Sequence, residues 1–200
     1  MSTKESAIGS WYASIMVALS LVWDQAMLAP LRSRGLERAL TRALSKAGGD
    51  AIRAVRVTSS RTVRSRKRMK ASRVNKALEL QFPRGSKHID DLVWRMKISP
   101  DLVPTSQYPY RQTRLGVSVA INKGKRTLIK GAFVATMKSG HVGIFMREGK
   151  ARLPIKEAFS SRVNDVMQDK ATIPAVSARG QAVFQSSFAR LLPLEIAKGR

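Results

Sequence analysis

Two short apolar segments, residues 131–137 and 141–147, lie on either side of Ser139–Gly140 and constrain the fold more than any other feature. Short apolar runs that end at a turn signal are typical of paired strands. Glycine adopts a positive φ without steric cost, so Ser139–Gly140 suits a tight connection. The sequence therefore predicts an antiparallel hairpin over 131–147. A phosphate-binding loop would need a further upstream glycine and a following helix, and this segment has neither.

Similar patterns predict two further strands, over 91–99 and 114–122. A proline-rich loop, 99–110, separates them, and a basic turn, 123–127, follows the second. Helical periodicity dominates before and after this region. We therefore predict an α+β fold, in which N-terminal helices precede a small antiparallel sheet and a C-terminal helix ends the domain.

Apolar residues at steps of three and four predict an amphipathic helix in the N-terminal half: Leu36, Leu40, Ala43, Ala47, Ala51 and Ala54. Gly48–Gly49 interrupts this helix and costs about 2 kcal/mol of helix propensity, which predicts a kink or a break. A second apolar set predicts a C-terminal helix over about 176–195, which Pro193 should end or kink.

The chain length suits one domain with an appendage. We expect a hydrophobic N-terminal arm at 1–32 and a single domain at 33–200, with basic helices at 33–80 and strands at 90–147. The longest uninterrupted apolar run in the arm, Trp11 to Trp23, has 13 residues, below the roughly 20 needed to span a bilayer. We predict that the arm forms a helix packed against another protein surface, with membrane contact and proteolytic processing as the alternatives.

The charge is extreme, because 37 Lys and Arg residues oppose 13 Asp and Glu residues, a formal net charge of +24. Residues 61–76 contain eight basic side chains and no acidic one, in a segment that can be helical. Such a segment attracts phosphate groups or an acidic protein. The residues predicted to contact DNA or a partner are Arg61, Arg64, Arg66, Lys67, Arg68, Lys70 and Arg73.

The sequence gives little support for disulfides, metal binding, cofactor binding or catalysis. The chain has no cysteine and only two histidines, which excludes disulfides and thiolate metal sites and argues against a multi-histidine site. It has no nucleophile motif and no glycine-rich cofactor loop. We therefore predict no catalytic residue, no cofactor and no bound metal, and a protein that is not an enzyme.

A series of short motifs around the hairpin occurs in a distinctive order. It comprises Gly131–Phe133, Ser139–His141 with Gly143, Phe145 and Arg147, then Gly149, Lys150, Arg152, Pro154 and Ile155, with residues 39–47 as a second patch upstream. In these residues the chain resembles the minor tail protein Z, or tail completion, family of tailed bacteriophages, over about 33–170.

The resemblance implies a non-enzymatic structural protein of the virion, located at the head-proximal end of the tail and in the host cytoplasm during assembly. It also implies a homo-oligomeric ring, with six copies expected, in contact with tail terminator, tube and connector proteins. The predicted interface is the hairpin motif: Gly131, Ala132, Phe133, Gly140, Phe145, Arg147, Pro154 and Ile155.

The sequence leaves open what the basic segment meets. It can face the genomic DNA end, through phosphate contacts that ignore base sequence, or acidic neighbouring proteins. The alternative function is a sequence-independent nucleic-acid-binding protein. A membrane-active protein is a third candidate, which depends on residues 8–31 alone.

Overall fold

The computed structural model describes residues 17–18, 34–83 and 92–198. Helices are α1 Arg34–Arg66, α2 Ala71–Ala77, α3 Val163–Met167 and α4 Thr172–Ala197. Strands are β1 Val17–Ala18, β2 Leu78–Gln81, β3 Arg95–Ile98, β4 Val103–Pro104, β5 Tyr110–Thr113, β6 Gly116–Asn122, β7 Lys125–Lys130, β8 Phe133–Thr136, β9 Val142–Arg147, β10 Ile155–Glu157 and β11 Phe159–Ser160. The predicted α+β class is confirmed, with N-terminal helices, small antiparallel sheets and a C-terminal helix.

The predicted apolar stripe of α1 is buried against α4. Leu40, Leu44, Ala47 and Ala51 form a small core with Phe184 of α4, and the alanines permit the two helices to approach closely. The helix runs without interruption through Gly48–Gly49, so the break that the two glycines allowed for does not occur. The physical reason is the packing at Gly48, where an added Cβ would lie 2.3 Å from Cζ2 of Trp94.

The basic segment 61–76 is not one helix. α1 ends at Arg66, residues 67–70 form a connector, α2 is short, and β2 begins at Leu78. The connector is held to the end of β6, because the Arg68 N–H donates to the Ile121 carbonyl at 2.9 Å and the Lys123 N–H donates to the Arg66 carbonyl at 3.1 Å. These tertiary hydrogen bonds replace the next helical turn.

The strands form four small sheets with the orders β1-β3-β2, β5-β6-β7, β10-β9-β8 and β11-β4, and the paired strands are antiparallel. The strands predicted at 91–99 and 114–122 correspond to β3 and β6. The proline-rich loop contains β4 and ends where β5 begins, at Tyr110, and most of the predicted basic turn belongs to β7. That turn is shorter than expected because β7 pairs with β6 from Lys125 onward.

The predicted hairpin is formed by β8 and β9, with Phe133 opposite Phe145. Gly140 has a φ of 80° in the connecting turn, the positive φ expected of a glycine in a tight hairpin connection. β10 extends this sheet, with Ile155 opposite Arg147. The Ala158 N–H then donates to the Ile144 carbonyl at 2.8 Å, and the Ala158 carbonyl accepts from the Thr105 hydroxyl at 2.7 Å. The hairpin sheet is therefore fixed to the segment that precedes β5.

α4 continues to Ala197, so Pro193 does not end it. Proline removes one backbone donor from the helix, yet the four residues that follow Pro193 remain helical. Glu195 anchors the turn that follows: its carboxylate, 3% exposed, accepts hydrogen bonds from Lys46 at 2.7 Å and Arg42 at 3.0 Å. A charged clamp therefore joins α4 to α1.

The predicted N-terminal arm lies outside the described residues except for β1, which pairs with β3. At those two positions a strand replaces the expected helix. Within the described ranges, no helix is long and apolar enough to cross a bilayer.

Candidate functional site

A groove of about 640 Å³ lies at the end of α1, where the basic segment meets the β5–β6–β7 sheet. One wall is the connector 67–70 with Arg64 from α1. Residues 106–110 form a second wall, and Lys123 from the β6–β7 turn also lines the groove. Both walls are hydrogen-bonded to the end of β6, since the Ala120 N–H also donates to the Pro109 carbonyl at 2.9 Å. The backbone thus fixes the width of the groove.

Five cationic side chains line the groove: Arg64, Lys67, Arg68, Lys70 and Lys123. No described acidic residue lines it, and none of the five forms an ion pair with another described residue. Like charges this close produce a strongly positive local potential, which a concave surface concentrates. The arrangement is suited to binding an anion with several charges.

Tyrosines from the second wall add a different kind of contact. Tyr110 is 38% exposed and lines the groove, so its ring is accessible to a ligand. Tyr108 is 2% exposed, and burial raises the pKa of its hydroxyl, against the smaller opposite effects of Ser160 and Arg73. The Tyr108 and Ser160 hydroxyls lie near each other but neither completes a hydrogen bond of normal geometry. Tyr108 therefore supports the wall, while Tyr110 offers the accessible ring.

The structure brings together only part of the predicted contact set. Arg64, Lys67, Arg68 and Lys70 line the groove, whereas Arg61 is exposed on α1 outside it. Arg66 forms an ion pair with Asp169 and lowers the pKa of that carboxyl. Arg73 lines a separate small cavity of about 80 Å³, which also contains Lys76 and Asp101.

Sequence reasoning missed Lys123 and Tyr110. Lys123 belongs to a segment already recognised as a basic turn, but nothing local indicated that it lies beside the end of α1. Tyr110 was assigned to an exposed loop. Their positions follow from two sets of hydrogen bonds: β6 is bonded to the 106–110 segment, and the end of β6 is bonded to the end of α1 and the connector, more than 40 positions earlier in the sequence.

The predicted hairpin residues form a structural unit of their own, and none of them lines this groove. The rings of Phe133 and Phe145 are 6.4 Å apart, and the Arg147 guanidinium lies 5.1 Å from the Phe133 ring centroid. Ala132 is buried, Ile155 is half-buried, and Gly131, Gly140 and Pro154 are exposed. Buried members of the motif hold the sheet together, so only its exposed edge remains as the predicted partner interface.

No group of three or more metal-ligating side chains occurs in the part of the chain that the structure describes. The one His–carboxylate pair there is His141 with Glu157, at 3.0 Å. The pair joins the β8–β9 turn region to β10.

A family model described as prophage minor tail protein Z matches residues 22–183. The match extends beyond the residues that carried the resemblance, at both ends, and takes in part of the N-terminal arm. No curated protein and no solved structure matches the chain. Because the match spans most of the 200 residues, the chain belongs to the prophage minor tail protein Z family.

Proposed function

We propose that this minor tail protein is a tail completion factor, which forms a ring at the head-proximal end of the tail and contacts the neighbouring tail and neck proteins. The observation that carries the proposal is the family match over residues 22–183. The family makes the chain a structural component of a phage tail; the position, the ring and the neighbours are the proposed part.

An exposed surface on the β5–β6–β7 sheet supports self-association. Leu115 is 71% exposed and Leu128 is 39% exposed, and both lie beside Arg114 on the outside of the sheet. β7 forms the edge of this sheet among the described strands. Apolar surface next to an open strand edge is suited to an interface between copies, and identical copies that associate head to tail close into a ring when the rotation permits it.

The positive charge supports contact with acidic neighbours or with DNA. A field of this sign speeds the encounter with an acidic protein surface and orients it. A basic lumen around the whole DNA path would instead retain the genome during ejection. We therefore expect the charge to act locally on each copy, through a limited surface.

Electron microscopy of a lysate in which this gene alone is disabled tests the proposal. Isolated heads beside defective tails, or joined particles that fail to infect, are the expected result. Normal infectious particles would overturn it. The ring is tested by the mass of the purified protein in solution, where six copies give six times 22.1 kDa and a monomer at assembly concentrations would contradict a preformed ring.

The groove favours one alternative function, a sequence-independent nucleic-acid-binding protein. Changing groove arginines to glutamine discriminates between the two. For a binding protein, the loss of nucleic-acid affinity is the whole phenotype. For a tail completion factor, assembly or infectivity is impaired even where affinity for free DNA changes little.

A further inference from the structure

We propose that the groove at the end of α1 binds the phosphate backbone of a single nucleic-acid strand, with Tyr110 as the platform for one base. The inference rests on the proposed function, since at a head–tail junction the strand would belong to the end of the genome. It goes further by naming the site, the state of the nucleic acid and the contacts.

The size of the groove decides between a strand and a duplex. Its volume of about 640 Å³ is within the range of roughly 300–1,000 Å³ that is typical of small-molecule sites. Its two walls are both hydrogen-bonded to the end of β6, which holds their backbones in place. A groove of this size matches a few nucleotides of a single strand better than the much larger body of a duplex.

The cations favour phosphate over a lone carboxylate. Arg64, Arg68, Lys70 and Lys123 come from three different segments and are all exposed at the groove. Their charges have no acidic partner among the described residues, and a polymer with one negative charge per residue neutralises several at once. Arginine also binds phosphate oxygens in a bidentate manner.

Tyr110 favours nucleic acid over an acidic peptide. Single-strand sites combine a positively charged groove with an aromatic ring on which a base stacks. Tyr110 provides such a ring, 38% exposed, in the groove that the cations of the connector also line. An acidic peptide would gain nothing specific from a flat ring at this place.

The test measures binding of the full-length protein to a fluorescently labelled oligothymidine by fluorescence anisotropy, over a series of salt concentrations. The groove variant carries R64Q, R68Q, K70Q and K123Q. A charge-matched control carries K97Q, K130Q, R179Q and R190Q, at exposed positions outside the groove. Both lose four positive charges, so they differ only in where the charge is removed.

The groove variant is expected to reduce the slope of log affinity against log salt by about 3, since each single-strand phosphate contact contributes about 0.7. The control should leave the slope nearly unchanged. An equal loss in both variants would overturn the proposal, because it would show attraction to the whole molecule. Circular dichroism checks that each variant is folded, and K123Q alone should lower the slope by about 0.7 if the fourfold variant does not fold.

Stacking and strand selectivity are tested separately. Y110A should weaken oligothymidine binding by roughly tenfold, while Y110F retains it and an abasic oligonucleotide gains nothing from Tyr110. Tighter binding of a duplex, or of polyglutamate with no effect of Y110A, would overturn the proposal in favour of duplex DNA or an acidic protein. Failure here leaves the tail function intact, because that function is judged by particles in the gene-disabled lysate.

Discussion

Replacing Gly48 by alanine should destabilise the protein by about 1–3 kcal/mol, although alanine is the better helix former. A Cβ at this position would lie 2.3 Å, 2.4 Å and 2.6 Å from three atoms of the Trp94 indole. Carbon atoms in contact are normally about 3.5–4.0 Å apart, so the ring or the helix must move by about 1 Å. Trp94 is 6% exposed and belongs to a buried cluster that includes Ile52, Val55 and Met96, so its movement disturbs its neighbours.

The magnitude follows from two opposing terms. Overpacking a core costs about 1–3 kcal/mol, and complete loss of a buried Trp or Phe side chain costs about 3–5 kcal/mol. We expect the clash of G48A with Trp94 to cost an amount between these two cases, about 2–4 kcal/mol. Alanine regains about 1 kcal/mol of this because its helix propensity is higher than that of glycine. The steric term therefore exceeds the propensity term.

Gly49 is a matched control in the same turn of α1. Its added Cβ would meet Arg53 at 3.6 Å and Phe82 at 4.0 Å, which are ordinary contacts. G49A should therefore stabilise the protein by about 0.5–1 kcal/mol. Urea unfolding followed by circular dichroism measures both variants, and combining G48A with W94F tests the pair, because the smaller ring should recover part of the loss. Equal stability of G48A and G49A would refute the steric reasoning.

Three further predictions concern the clamp and the hairpin. E195Q should lower the stability of the protein at pH 7 and make its stability depend less on pH under acidic conditions. A hydrogen bond from Lys46, opposed by burial, lowers the pKa of Glu195 to about 2. The stabilisation by Glu195 in the wild-type protein is therefore present above pH 4.5 and is lost as the pH falls toward 2. Urea midpoints across this range measure it, and parallel wild-type and E195Q curves would contradict it. R147Q should cost about 0.5–1 kcal/mol by removing the contact with the Phe133 ring, with R147K retaining part of it; an unchanged urea midpoint for R147Q would refute it. G140A should cost about 1–2 kcal/mol from the positive φ alone, since no atom lies within 4 Å of an added Cβ; a thermal melt that matches wild type would refute it.

The parts of the fold that sequence predicted are those with local signals. The stripe of α1 repeats every three or four residues, and the hairpin has apolar runs around a turn glycine, so each could be read without knowing its partner. β2 was missed although Leu78 and Leu80 alternate, because four residues after a basic helix also fit its continuation. β7 was missed because half of its side chains are charged and most are exposed, a composition typical of an edge strand.

The parts that sequence could not predict depend on distant residues. Gly48 reads as a helix breaker until Trp94 is known to pack on it, 46 positions later in the sequence. Arg66 reads as one more free cation until Asp169 is placed beside it. The groove likewise exists only once Lys123 and Tyr110 have been brought to the end of α1 by pairing along β6.

The cations at the end of α1 lie in two different electrostatic environments, and this difference leads to a last prediction. Arg64 and Arg66 lie in the last turn of the helix, where a positive charge is stabilised by the helix dipole by about 0.3–1 kcal/mol each. Lys67, Arg68, Lys70 and Lys123 lie beyond the last residue of α1 and form no ion pair with another described residue, so in the free protein they mainly repel one another. Added salt screens that repulsion, whereas the enclosed Glu195 clamp is screened much less. The urea midpoint of the wild-type protein should therefore rise with sodium chloride, and the rise should be smaller in the fourfold groove variant than in its charge-matched control. A rise of equal size in both variants would mean that the repulsion is spread over the whole surface. The groove would then hold no greater concentration of positive charge than the rest of a chain with a net charge of +24.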